Sequence, residues 1–150
     1  MGHSGLFTTI CCSMITYFTI TLTAYAGGIA QVKNIKGSAF IEREGRQAIL
    51  KVGDVLEQAD IIYTEADGAV GIVFMDNSLV SVGPETVLAL DQFEFNTTTH
   101  EGVFNSSLRQ GTLAVKSGKI VKHSPEAMKI NTRHAVLAVR GTEFVVSADY

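Results

Sequence analysis

Chemistry in residues 27–150 would have to come from His100, His123 and His134, from scattered carboxylates, and from many serines and threonines. A hydrolase or transferase needs a nucleophile, a base and an orienting group that converge. No G-x-S-x-G, H-E-x-x-H, S-x-x-K or phosphate-binding loop frames these residues. His134, beside Arg133 in "NTRHAV", reads as a solvent-facing histidine at a strand edge, and His100 and His123 fall in polar connectors. The histidines lack i, i+2 or i, i+4 pairing, and "DGAVGIVFMDN" lacks the dense acid spacing of a calcium loop. No metal, cofactor or catalytic residue is therefore expected. Were the chain an enzyme, His134, Glu143 and Asp76 would be its polar cluster.

The chain has 150 residues, 46% apolar and 18% charged, enough for one domain with a hydrophobic core. Its net charge is −3, and its lysines and arginines are scattered rather than massed, so nucleic acid is not an expected partner. The first charged side chain is Lys33, preceded by "LFTTICCSMITYFTITLTA" and by the small residues Ala24 and Ala26 around Tyr25. That pattern predicts a signal peptide over residues 1–26 and a mature domain over 27–150. The alternative is a membrane anchor formed by residues 6–24, since about 20 apolar residues span a bilayer. Either reading puts the domain outside the cytoplasmic membrane, periplasmic or secreted. Cys11 and Cys12 lie in the apolar lead, leaving residues 27–150 without a disulfide, a thiolate nucleophile or a cysteine zinc site.

The elements that would position any site are short. Runs such as "GSAFIER", "DIIYTEA", "AVGIVFM", "SLVSVG", "TVLALDQFEF", "TLAVKSG" and "EFVVSA" are rich in Val, Ile, Phe and Thr and are punctuated by Gly, Asn or Asp. They predict an all-β fold, either solenoid-like or a two-layer β domain. A weak echo between Ile62-Tyr63-Thr64 and Ile130-Asn131-Thr132 favours stacked units. In "TVLALDQFEF", alternation puts Val87, Ala89, Asp91, Phe93 and Phe95 on one face and Leu88, Leu90, Gln92 and Glu94 on the other. "AVGIVFM" alternates little, which predicts a strand covered on both faces. "TTTHEGVFNSS" (97–107) reads as a polar loop where a ligand would be met, and Asn96-Thr97-Thr98 and Asn105-Ser106-Ser107 match the glycosylation acceptor pattern.

In "AVLAVRGTEFVV" (135–146), Arg140, Gly141, Thr142 and Glu143 interrupt an apolar run that reads as a buried strand. A buried charge costs several kcal/mol unless paired. The stretch is expected to be a structural device. Either a bulge at Gly141 turns Arg140 and Glu143 to one side, or Arg140 finds Asp76 or Asp60.

Four ordered motifs, Val52-Gly53-Asp54-x-Leu56, Asp60-x-Ile62-x-Thr64, Phe74-x-Asp76-x-Ser78 and Val139-Arg140-Gly141-Thr142-x-Phe144, together with "GSAFIEREG" and "GTLAV", resemble the FecR-like domain family. The resemblance implies an all-β, solenoid-like domain on the outer side of a bacterial cytoplasmic membrane. Classical members relay a signal from an outer-membrane transporter to a sigma factor through a cytoplasmic segment. Before Gly27 this chain offers only an apolar lead, so the expectation is a stand-alone secreted member without direct sigma-factor control. The function implied is a non-enzymatic binding or interaction module in envelope sensing or signalling, with another envelope protein or polymer as partner. A structural or assembly protein of the envelope is the alternative, and a hydrolase of envelope polymers the third. Gly53, Asp54, Asp60, Thr64, Asp76, Ser78, Arg140, Gly141, Thr142 and Phe144 are then family markers with structural roles.

Overall fold

A computed structural model of the protein describes residues 27–140 and 143–149; residues 1–26, read as a signal peptide or anchor, and Gly141 and Thr142 lie outside them. The short apolar runs become twelve strands and one short helix among the described residues. One layer has the order β12 (Glu143–Ala148), β9 (Gly102–Lys116), β7 (Leu79–Val82), β6 (Ala69–Phe74), β1 (Ala30–Lys36), β4 (Val55–Leu56). The other runs β3 (Arg46–Ile49), β2 (Ala39–Arg43), β5 (Ile61–Thr64), β8 (Val87–Phe95), β9, β10 (Met128–Asn131), β11 (Val136–Ala138). All pairings are antiparallel except β9 with β10.

β9 therefore belongs to both layers. Its first part, Gly102–Gln110, pairs with β8 and β10, and its second part, Gly111–Lys116, pairs with β7 and β12. The corner is Gly111, at φ +90°. A Cβ there would sit 2.2 Å from Thr86 Oγ1 and 2.6 Å from Thr86 Cα. Strands that change sheets need such a bend, and only glycine supplies it cheaply. Gly111→Ala is expected to destabilise the domain by about 2–4 kcal/mol, from the forced positive φ and the collision together, read as a lower urea midpoint at unchanged slope.

The layers close on an aromatic centre. Phe74 from β6 lies 5.2 Å from Phe93 and 4.6 Å from Phe104, ring centre to ring centre, which joins one layer to the other. Ile72, Val80 and Leu113 line the core from one side, and Ile62, Leu88, Leu108 and Ile130 from the other. Of the two architectures expected, the two-layer one is found. The suspected repeat is not a repeated unit, because β5 lies antiparallel between β2 and β8 whereas β10 runs parallel to β9.

Three local expectations are corrected. β6 alternates after all: Val70, Ile72 and Phe74 are buried, and Ala69, Gly71 and Val73 are half-buried on a solvent-facing side. In β8 the faces switch within the strand. Leu88 and Leu90 are buried, the register then slips between Ala89 and Gln92, and Phe93 takes the inward side. An extra residue in one strand turns every later side chain over, so strict alternation fails there. The polar loop is shorter than expected, since residues 102–107 belong to β9. Between β9 and β10, residues Lys119–His123 form a helix, α1, whose Ile120 and Val121 are buried.

Candidate functional site

Among the described family markers, the polar side chains of Asp54, Asp60, Thr64, Asp76 and Ser78 are engaged within the fold. Asp54 Oδ2 accepts from the Lys51 N–H at 2.8 Å and closes the turn before β4, where Gly53 takes φ +95°. Thr64 Oγ1 donates to the Gly83 carbonyl at 2.6 Å and accepts from the Thr86 N–H at 2.9 Å, tying β5 to the turn before β8. Asp76 and Ser78 are wholly buried. Asp76 Oδ1 accepts from the Ser78 N–H at 2.9 Å, and Oδ2 from the Ser78 hydroxyl at 2.7 Å and the Ile120 N–H at 3.4 Å. Ser78 Oγ in turn accepts from the Gly118 N–H at 2.9 Å, so this turn holds the start of α1 against the end of β6.

Asp60 is equally buried. Its carboxylate accepts a two-toothed pair of bonds from Arg43, Nε to Oδ1 and Nη2 to Oδ2, both at 2.7 Å, and a third from the Glu57 N–H. Arg43 also donates to Glu57 Oε1 at 2.8 Å and to the Val55 carbonyl at 3.0 Å. Asp60's hydrogen bond raises the guanidinium pKa, against the opposing pull of burial. The result is a strap from β2 to β4 across the open side of the two layers. Arg43 and Glu57 were not expected as partners of Asp60. The signal lay in the parity of "AFIER": Ala39, Ile41 and Arg43 share one face, so an arginine at an inward position needs a buried acid.

Arg140 behaves otherwise. Its side chain is 73% exposed and pairs with Glu126, not with Asp76 or Asp60. Glu143 is likewise exposed and pairs with Lys116 at 3.1 Å. The run before Arg140 is not a buried strand, because β11 is exposed throughout; Val139 and Val146 are its buried flanks. The possible bulge at Gly141, and Thr142, lie outside the described residues. Phe144 packs half-buried against the core. Arg140→Ala is expected to change stability by under about 1 kcal/mol, since an exposed ion pair is screened by water and salt; thermal melts at low and high salt check this.

No catalytic geometry forms from the three residues considered. Asp76 is sealed beneath α1, Glu143 is on the outer surface with Lys116, and His134 is exposed in the turn capped by Thr132 Oγ1. His100 stacks on Phe95 at 6.2 Å between ring centres, and His123 ends α1. Among the described residues, no group of three or more His, Cys, Asp or Glu is placed to hold a metal ion. None of their helices is long and apolar enough to cross a membrane.

What the surface offers is recognition area. On the outer face of the first layer, β6, β7 and β9 present the small residues Gly71, Ser81 and Ala114 in one cross-strand row. The adjoining row is Val73, Leu79, Lys116 and Glu143. A trough of about 400 Å³ runs over Leu79, Ser81, Ala114, Lys116, Phe144 and Val145. Two aliphatic side chains stand at its walls, Leu79 44% and Val145 69% exposed. A second cleft, about 360 Å³, opens beside the strap over Ile41, Ala48 and Val55, with Arg46 and Glu44 at the rim. On the outer face of the second layer, Tyr63 donates to Glu42 Oε2 at 2.9 Å; this bond raises the phenol's pKa and burial adds to it. The hairpin at 96–101 is folded on itself, with Asn96 Oδ1 accepting from the N–H groups of Thr98 and Thr99.

Neither a curated protein nor a solved structure matches the chain. The family model described as FecR protein matches residues 60–150, a span that begins at Asp60 and holds the Asp76–Ser78 latch, the Gly111 corner and the Arg140 motif. The chain belongs to the FecR protein family, a family of signalling and regulatory proteins.

Proposed function

We propose that this protein is a non-enzymatic binding module that serves envelope sensing or signalling and meets its partner outside the cytoplasmic membrane. Membership of the FecR family supports the signalling role. The apolar lead with small residues at Ala24 and Ala26 supports export, with residues 27–150 as the working domain. One observation carries the binding role. The buried polar side chains of the family motifs are spent on turns and straps, whereas the outer face of β7, β9 and β12 leaves an apolar-walled trough open. Its small floor admits an extended peptide or polymer chain, and its walls provide apolar contact with Lys116 and Glu143 at one end.

The test pairs location with binding. Cell fractionation followed by N-terminal sequencing is expected to find the protein in the envelope fraction beginning at Gly27. In cross-linking from cells, the wild type is expected to retain an envelope protein or polymer that Ser81→Arg and Leu79→Glu both lose while keeping their melting temperatures. Full retention by both variants would remove the trough from the function.

A further inference from the structure

We propose that the two open sides of the fold are complementary, so that β3 of one copy adds to β12 of the next and joins copies of this chain head to tail. Among the described residues, each layer ends in strands with no further strand beside them: β3 and β4 on one side, β11 and β12 on the other. Unpaired edges of this kind accept a further strand unless a bulge, a proline or covering chain blocks them. Neither β3 nor β12 contains a proline or a register shift in its pairing.

The backbone parity of the two edges agrees. The Leu50 N–H donates to the Ala39 carbonyl at 3.0 Å, which aims residues 46, 48 and 50 at β2 and leaves the peptide groups of Gln47 and Ile49 facing outward. On the other side, the Gly83 N–H donates to the Thr112 carbonyl at 2.8 Å, which aims residues 112, 114 and 116 at β7. Residues 111, 113 and 115 then bond to 148, 146 and 144 of β12, so that Glu143, Val145 and Ser147 face outward.

One antiparallel register satisfies charge, shape and layering together. With Ile49 opposite Val145, Gln47 falls opposite Ser147, Lys51 opposite Glu143, and Arg46 opposite the small Ala148. Ile49 and Val145 are 68% and 69% exposed, and both stand on outer faces. Ala48, which lines the cleft beside the strap, would meet Val146, which is buried toward the core. Inner and outer faces are thus continuous across the joint. Lys51 contributes its side chain rather than its backbone, because its N–H is held by the Asp54 carboxylate and its carbonyl accepts from the Asp54 N–H. Like-with-like pairing is worse: β12 on β12 brings Glu143 and Asp149 of both copies together, and β3 on β3 gathers Arg46 and Lys51. Because the two surfaces differ, the contact is heterologous and builds a ring or a filament rather than a closed dimer.

Sedimentation velocity on the full chain over a wide concentration range is expected to show species larger than a dimer. Gln47→Pro and Val145→Pro each remove an outward N–H from one edge, so each variant alone is expected to be monomeric. An equal mixture of the two is expected to give a dimer and nothing larger, because each supplies the edge the other lacks. If circular dichroism shows a proline variant unfolded, Ile49→Lys or Val145→Lys takes its place. Lys51→Glu is expected to weaken association about fivefold, and adding Glu143→Lys to restore it. A parent chain that stays monomeric, association that persists in either single-edge variant, or a mixture that remains monomeric would each overturn the proposal.

Discussion

Asp76→Ala is expected to destabilise the domain by about 3–5 kcal/mol and to lower its melting temperature by roughly 10–15 °C. The carboxylate is wholly buried, and its loss strands the Ser78 N–H, the Ser78 hydroxyl and the Ile120 N–H at once. Each buried donor left without a partner costs about 1–3 kcal/mol. The damage is also transmitted, because Ser78 Oγ holds the Gly118 N–H and so anchors the chain entering α1. Asp76→Asn keeps an acceptor of the same shape and is expected to cost less, about 1–2 kcal/mol. Thermal and urea melts monitored by circular dichroism read both variants, and an Asp76→Ala protein as stable as the wild type would remove the latch from the account of this fold.

The second large effect is expected at Asp60. Asp60→Asn replaces a charged acceptor of three hydrogen bonds beneath Arg43, leaving the guanidinium with Glu57 and the Val55 carbonyl. Removing one member of a buried pair costs about 3–5 kcal/mol. Arg43's side chain is 38% exposed, so water recovers part of that, and about 2–3 kcal/mol is expected. Arg43→Met alone leaves the buried carboxylate with only the Glu57 N–H and is expected to do comparable harm. The double variant is expected to cost less than the two single effects added, giving a coupling energy of about 1–2 kcal/mol in a urea-denaturation cycle. Strict additivity would mean that Arg43 and Asp60 do not act as a pair.

These residues show which parts of the molecule are legible in its sequence. Strand identity was readable, because Val, Ile, Phe and Thr in short runs between Gly, Asn and Asp turns leave little else to form. Facing was readable only where a strand stays regular. Alternation sets Leu88 and Leu90 on the face opposite Phe93, yet all three are buried, since the slip between Ala89 and Gln92 is set by pairing with β9 rather than by β8 itself. The motif acids stand out in the sequence, yet their partners do not: Asp60 and Arg43 are 17 residues apart, and Asp76 and Ile120 are 44 apart. Arg140 misled for a related reason. Its apolar neighbours suggested burial, but Leu137 and Val136 belong to an edge strand with one uncovered face, so the arginine reaches water and Glu126. The trough was invisible because Gly71, Ser81 and Ala114 become neighbours only through the pairing of β6, β7 and β9.

The membership of β9 in both layers bears on how the molecule comes apart. A fold of two separately hydrogen-bonded sheets could lose one and keep the other for a time. Here β7 and β12 flank the far end of the same strand whose near end is held by β8 and β10. Opening either layer tears at a shared member, so the two halves are expected to unfold as one cooperative unit, with the amides of residues 104–115 the slowest to exchange with solvent. The same arrangement makes assembly wait on pairings far apart in sequence, such as Val80 with Val115 and Ala39 with Thr64, and places this domain among slow folders.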